Sequence, residues 1–273
     1  MKTGDLEQKS WQVRLKLVEM FSHGKAHHFG GSLSCAEILT CIYFHAMNYS
    51  RENMDEPGRD RFIMSKGHSV PSQYVILSML GIIPEDELRT IKRLGTRLQG
   101  HPDMRKTPGI EACTGSLGQG LSFANGVALA GRMDSLKFKV YVLAGDGEMQ
   151  EGQVWEAAMT ASHYKLNNIC VVVDRNRYQS QGEVDGMMGI EPLQKKWESF
   201  GWRAVKVDGH NIPEVCKALD IMDTGNDKPL AIIADTVKGK GVSLFENTYK
   251  GHNAVLSEEQ YVQAKKEIGE KLR

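Results

Sequence analysis

The stretch Val140–Gln181, VYVLAGDGEMQEGQVWEAAMTASHYKLNNICVVVDRNRYQSQ, decides the fold. Val140 to Ala144 is apolar and mostly β-favouring, and it stops at Gly145-Asp146-Gly147. An acidic, amide-bearing turn follows, and then Val154 to Tyr164 places Trp155, Ala158, Met159 and Ser162 at helical spacing. Ile169 to Val173 is a second apolar run, ending at Asp174-Arg175-Asn176. Strand, helix and strand of these lengths make a βαβ unit with parallel strands and a right-handed crossover. Parallel strands end on one edge of the sheet. Asp146 and Asn176 are therefore expected side by side, where open α/β sheets bind ligands.

Each half of this pattern has a plain alternative: Asp-Gly after a strand is a turn, and Asp-x-Asn an Asx turn. Together they suit one task. A carboxylate, a carboxamide and a nearby backbone carbonyl are hard oxygen donors, the kind Mg²⁺ takes while keeping places for phosphate oxygens. The glycines beside Asp146, Gly147 among them, let a ligand approach the backbone closely.

Composition narrows the field around this unit. The chain of 273 residues is long enough for one large α/β domain with a substantial core. Lysine plus arginine number 34, as do aspartate plus glutamate, so no net field favours nucleic acid or an anionic membrane. No apolar run approaches the roughly 20 residues that span a bilayer. The N-terminus carries no apolar signal core; Trp11, Leu15 and Val18 mark an amphipathic helix instead. Cys35, Cys41, Cys113, Cys170 and Cys216 are scattered and odd in number, which suits reduced core residues of a cytoplasmic protein.

Along the chain, helix spacing runs from about Glu7 to Phe21 and leads into a loop, Ser22 to Ser32, dense in histidine and glycine. Ser34 is placed to cap a helix from Cys35 to Met47, with Glu37 completing a capping box. Phe62 to Ser65 reads as a short strand ending at Lys66-Gly67-His68, followed by a helix from Ser72 to Leu80. Pro84 opens a helical run from Glu85 to Leu94. Gly100 to Asp103 is a turn by composition. Thr114 to Gly120 is a glycine loop opening a small-residue helix, Leu121 to Met133, and such an opening presents free N–H groups. Its order, G-x-x-G-x-G without a clear preceding strand, argues against a dinucleotide fingerprint. Glu183 to Ile190 reads as a loop. Arg203 to Val207, Pro213 to Met222 and Leu230 to Ala234 make a second βαβ unit, and Gln260 to Leu272 a charged terminal helix. Asp208-Gly209-His210 ends a strand on the ligand edge and reads as a structural turn. Val237 to Gly241 lacks the spacing of a P-loop and reads as a solvated loop or a basic rim. No linker or repeat divides the chain, so residues 1–273 are expected to form a single domain.

Five motifs now stand in order: His28-Phe29-Gly30-Gly31-Ser32-Leu33-Ser34, Ser65-Lys66-Gly67-His68, Gly100-His101-Pro102-Asp103, Thr114 to Gly120, and the GDG-to-Asn unit. Over nearly its whole length the chain resembles the N-terminal, thiamine-diphosphate-binding half of transketolase, as found when that enzyme is split into two chains. The resemblance implies an α/β thiamine-diphosphate-binding fold, a mostly parallel sheet with helices on both faces. It implies thiamine diphosphate and Mg²⁺ as cofactors, with Asp146, Asn176 and the main-chain carbonyl of Tyr178 as metal ligands. His28, His68 and His101 match family histidines that line the cofactor and the reacting end of the sugar, and His68, Gly115, Ser116, Leu117, Asp146, Gly147 and Asn176 match cofactor contacts. Where the family commonly has Gly-His-Pro, this chain has His27-His28-Phe29, and where it often has Asn, this chain has Arg175. His252 lies where transketolases carry another histidine, but loop lengths differ there and it is left out of the expected site.

The activity so implied is transfer of a two-carbon ketol unit from a ketose phosphate to an aldose. A C-terminal, pyrimidine-binding transketolase subunit would supply the glutamate that contacts the aminopyrimidine, in an α2β2 assembly. The histidines suit proton transfer at sugar hydroxyls, their pKa lying near working pH. Three other readings stay open at this stage: a deoxyxylulose-phosphate-synthase-like enzyme, a 2-oxo-acid dehydrogenase α-type subunit, and a non-catalytic thiamine-diphosphate-binding regulatory subunit.

Overall fold

A computed structural model describes residues 2–21, 25–225 and 227–272, so Ser22 to Gly24 of the histidine-rich loop lie outside the described residues. Five strands, β1 Arg61–Met64, β2 Val140–Gly145, β3 Ile169–Arg175, β4 Arg203–Asp208 and β5 Leu230–Asp235, form one sheet in the order β1-β2-β3-β5-β4. Every neighbouring pair is parallel. The helices are α1 Thr3–Met20, α2 Phe29–Ser34, α3 Ala36–Cys41, α4 Val70–Met79, α5 Gln119–Met133, α6 Gly152–His163, α7 Val184–Met188, α8 Leu193–Ser199, α9 Ile212–Leu219 and α10 Glu258–Lys271.

Side chains alternate along a strand, and here both faces are covered. Tyr141 and Leu143, Cys170 and Val172, and Leu230 and Ile232 enter the core that α1, α3, α4, α9 and α10 share. Val140 and Val142, Val171 and Val173, and Ala231 and Ile233 face the opposite core, with Leu121, Ala158, Trp197 and Trp202. This explains why the central strands read as unbroken apolar runs. At the edge, β4 leaves Arg203, Lys206 and Asp208 outside the core, a charged border that discourages pairing with another chain. Among the described residues no helix is long and apolar enough to cross a membrane.

Some expected elements differ. The helix expected from Cys35 to Met47 is two pieces, α3 and a π-helical turn, Ile42–Ala46, and a separate short helix, α2, precedes it from Phe29 to Ser34 with the break at Cys35. The capping box fails because both of its members have long-range partners. Ser34 Oγ donates to Asp174, and Glu37 receives the fork of Arg14. Glu85–Thr90 is a 3₁₀ segment rather than an α-helix to Leu94. The expected loop from Glu183 to Ile190 contains α7.

The second core centres on Trp197, fully buried, with ring centroids 4.8 Å from Trp202 and 5.2 Å from Trp155. Trp197→Ala is expected to lower stability by about 3–5 kcal/mol, the usual cost of removing a buried large aromatic. Urea unfolding checks this; a loss under about 1 kcal/mol would mean that the cluster is loosely packed.

Candidate functional site

The carboxyl ends of β1, β2, β3 and β5 meet around a cavity of about 220 Å³. Lys66, His68, Leu117, Asp146, Gly147, Asn176, Tyr178, Lys238 and His252 are on its wall. The register that pairs Gly145 with Asp174 brings the ends of β2 and β3 together. Arg177, at a φ of 69°, turns the chain so that its N–H reaches a carboxylate oxygen of Asp146. The other oxygen accepts from Gly147 N at 2.8 Å. Asn176 Nδ2 donates to Asp174 at 3.0 Å, which fixes the amide with its Oδ1 on the other side, 3.2 Å from Tyr178 N.

The donors at this floor are a carboxylate, an amide oxygen and a peptide carbonyl. That set suits a hard divalent cation. Electrostatics agree: Asp146 is buried, and burial first and then the charge of Asp174 push its carboxyl up to about 6, a shift that a cation bound beside it would oppose. Lys238 Nζ donates to the Tyr178 carbonyl at 2.7 Å and to that of Gln179 at 3.2 Å, and lies 3.2 Å from His252 Nδ1. Burial lowers its ammonium to about 8, against the pull of Asp146 and Asp174.

Two buried carboxylates hold the wall in shape. Asp174, fully buried, accepts from Ser34 Oγ at 2.6 Å, Lys66 Nζ at 2.5 Å, Asn176 Nδ2, and Thr236 Oγ1. Burial would raise its pKa, but the Lys66 charge and these bonds hold it below the ordinary value. Glu148 accepts from Ser65 Oγ, from Gly118 N at 2.9 Å and from Gly145 N at 3.1 Å. It thereby ties the glycine loop to the ends of β1 and β2.

Above this floor stand four imidazoles. The ring of His28 lies 5.2 Å from that of His68, 5.9 Å from His101 and 5.3 Å from His252, and His68 lies 5.2 Å from His252. His28, His101, Gly115 and Ser116 are not on the cavity wall itself. Gly115 nonetheless touches the cluster: at φ 137°, a Cβ there would meet the His101 ring at 2.6 Å. Burial, then the charges of His252 and Lys92, lowers His28 to about 3. Burial, then Lys238 and Lys66, lowers His252 to about 4. His68 and His101 are lowered by burial first and then by Lys66 and Lys92 respectively. All four are neutral at pH 7, each ring offering one donor and one acceptor.

Comparison with known proteins gives this arrangement a family. The family described as "Transketolase, thiamine diphosphate binding domain" matches residues 7–272. The chain belongs to the transketolase family. It is 41% identical over 272 residues to an apulose-4-phosphate transketolase subunit of Phocaeicola vulgatus, covering 100% of this chain and 96% of the relative. It is 41% identical over 234 residues to a 6-deoxy-6-sulfo-D-fructose transketolase subunit of a Clostridium species, covering 86% and 85%. Human transketolase is 37% identical over 234 residues, but the match spans only 37% of that longer chain. Among solved structures, transketolase from Campylobacter jejuni superposes with a TM-score of 0.89 at 30% identity, over 97% of this chain and 43% of that one. A Pichia stipitis transketolase gives 0.91 at 28% identity, over 97% and 41%. This chain thus corresponds to the thiamine-diphosphate-binding part of transketolase.

The two departures from the transketolase pattern have local explanations. His27, in place of Gly, is buried, stacks on Phe21 at 4.6 Å and pairs its backbone with Ala254. Phe29 packs on Phe21 and Phe245. Arg175 faces Asp235 and Glu191, each at 2.6 Å. Sequence reasoning misses four residues of the site: Lys66, Glu148, Lys238 and His252. Lys238 reads in sequence as a solvated or rim residue, but it is only 2% exposed. Its signal is a lysine shortly past an apolar strand on the ligand edge, and Lys66 carries the same signal after β1.

The histidine shifts have a measurable consequence. His28 in the folded chain lies below its unfolded value of about 6.5, so between pH 6.5 and about 3 the unfolded state takes up a proton that the folded state refuses. Its contribution is full above pH 6.5 and is lost as the pH falls below it. Urea unfolding from about pH 7 to about pH 4 should show this acid loss, and His28→Asn should make it shallower. An unchanged slope would place His28 in solvent.

Proposed function

We propose that this chain, with Mg²⁺, thiamine diphosphate and a partner subunit, transfers a two-carbon ketol unit from a ketose phosphate to an aldose. One observation carries the reading: oxygen donors suited to a metal–diphosphate lie at the floor of the cavity, and neutral imidazoles gather at its upper edge. Asp146, Asn176 Oδ1 and the Tyr178 carbonyl would hold Mg²⁺, with Lys238 moving from that carbonyl towards the added negative charge. His68, Gly115, Ser116, Leu117 and Gly147 would contact the cofactor. The bound cofactor would supply stabilisation of the carbanion at the carbonyl carbon.

The remaining tasks fall to the chain's own groups. His28, His68 and His101 would hold sugar hydroxyls and move protons at their oxygens, and the ring contacts of His252 with His28 and His68 support counting it in the same cluster. A neutral imidazole offers one acceptor and one donor nitrogen to sugar hydroxyls, and proton transfer through it is most efficient where bound substrate returns its lowered pKa towards working pH. Leu117 would offer an apolar contact to the bound cofactor. We read residues 1–273 as a single diphosphate-binding domain, acting in the cytoplasm in an α2β2 assembly with a pyrimidine-binding subunit. Relatives named for apulose 4-phosphate and for 6-deoxy-6-sulfo-D-fructose support a ketose with an anionic terminus as donor.

Three measurements test this. Asp146→Ala should abolish Mg²⁺-dependent binding of thiamine diphosphate in calorimetric titration, and normal affinity would remove Asp146 from the metal set. His101→Ala, in the full assembly, should keep the cofactor but lose about a hundredfold to ten-thousandfold in kcat, the range typical of an acid–base group; steady-state rates within twofold of the parent would make His101 structural. Deuterium exchange at C2 of thiamine diphosphate, followed by acid-quench NMR, should stay at the free-cofactor rate with the lone chain and rise by orders of magnitude on adding the partner. Fast exchange without the partner would place the activating acid in this chain.

A further inference from the structure

Away from the cavity wall, three charged or titratable side chains from distant parts of the chain meet in the interior. Arg14 of α1 is fully buried and Glu37 of α3 is 4% exposed. The guanidinium is bidentate, with Nη1 to Oε1 at 2.7 Å and Nη2 to Oε2 at 2.6 Å. Glu37 Oε2 also lies 3.0 Å from Nδ1 of His210, which follows β4. Burial would raise the Glu37 carboxyl, but Arg14 and the bond to His210 hold it at about 2.

The free ends of this network grip one loop. His210 Nε2 accepts from the backbone N–H of Val237 at 2.8 Å, so the ring proton sits on Nδ1 and faces Glu37. Arg14 Nε donates to the carbonyl of Lys240 at 3.0 Å. Val237 and Lys240 bracket Lys238, whose ammonium reaches the Tyr178 carbonyl and His252. The loop has little slack: Gly239 is at φ 76°, where a Cβ would fall 2.1 Å from the Phe245 carbonyl, and a Cβ at Gly241 would meet the Trp11 ring at 2.8 Å.

A buried ion pair is seldom more stabilising than well-packed apolar groups of the same volume. What hydrocarbon cannot supply is a directed bond to two backbone groups on either side of one lysine. We propose that Arg14, Glu37 and His210 are positioning residues that set Lys238 in the cofactor cavity. The consequence for cofactor affinity rests on the reading of that cavity as the metal–diphosphate site; the positioning itself does not.

Two measurements separate these. In the full, cofactor-free chain, reductive methylation of Lys238 followed by mass spectrometry should be at least fivefold faster in His210→Phe than in the parent. His210→Gln, which keeps a donor and an acceptor at similar spacing, should restore slow labelling. An unchanged rate in His210→Phe, or no rescue by glutamine, would overturn the proposal. In the assembly with the partner subunit, the Kd for thiamine diphosphate with Mg²⁺ should rise at least fivefold in His210→Phe. In a Lys238→Ala background the same change should add less than twofold, because the network then has no lysine to place. Equal fold losses in both backgrounds would mark a general structural role and also overturn it. A parent assembly that binds no thiamine diphosphate would refute the cavity reading, while the labelling result still decides the positioning.

Discussion

The buried carboxylate of Asp174 is the interaction on which the rest depends. A charge with no exposed surface must be neutralised and hydrogen-bonded, or the folded state is untenable. Asp174 meets that demand with four donors: Ser34 from α2, Lys66 after β1, Asn176 after β3, and Thr236 after β5. Each donor lies on a segment that also carries a wall residue of the cavity or adjoins one. Satisfying one charge therefore assembles the floor. Breaking a buried pair of this type commonly costs about 3–5 kcal/mol, because the partner charge is left alone.

Charge is divided between the two ends of the site. Lys66 and Lys238 stand at the floor, Lys66 paired with Asp174 and Lys238 held by the carbonyls of Tyr178 and Gln179, and their ammonium groups suit a diphosphate. Burial first, and then these two cations, keep His68 and His252 uncharged, while burial and Lys92 act on His28 and His101. One arrangement thus serves anion binding below and proton exchange above. The histidines need no separate device to stay neutral; proximity to the lysines and loss of water provide it.

Glycines complete this division by removing bulk where backbone and ring must approach. A Cβ at Gly67 would fall 2.8 Å from Gly115 N, and one at Gly31 would lie 2.7 Å from Ser69 Oγ and 3.3 Å from His68 Nε2. The close packing of the glycine loop, the end of β1 and the histidine loop therefore depends on missing side chains as much as on present ones. That is why these motifs stand out in sequence as glycine-rich stretches although none of them is a binding signature alone.

Periodicity and local chemistry determined the strands, their parallel order and the meeting of Asp146 with Asn176, because a βαβ unit sends consecutive strand ends to the same edge. The motif series also carried the family, and with it the expectation that His28, His68 and His101 gather. Long-range pairing lay outside that reach. Ser34 and Glu37 resemble a helix cap, since nothing local announces that Asp174, 140 positions away, or Arg14 will claim them. Lys238 resembles a solvated residue because charged residues usually are, and only the fold brings the acids that let a lysine be buried there. His252 joins the cluster through a loop whose length conceals its register. The pattern of apolar residues determines where backbone elements run; which polar groups find one another in the interior is decided when the elements pack, since a buried charge accepts whatever donors that packing delivers.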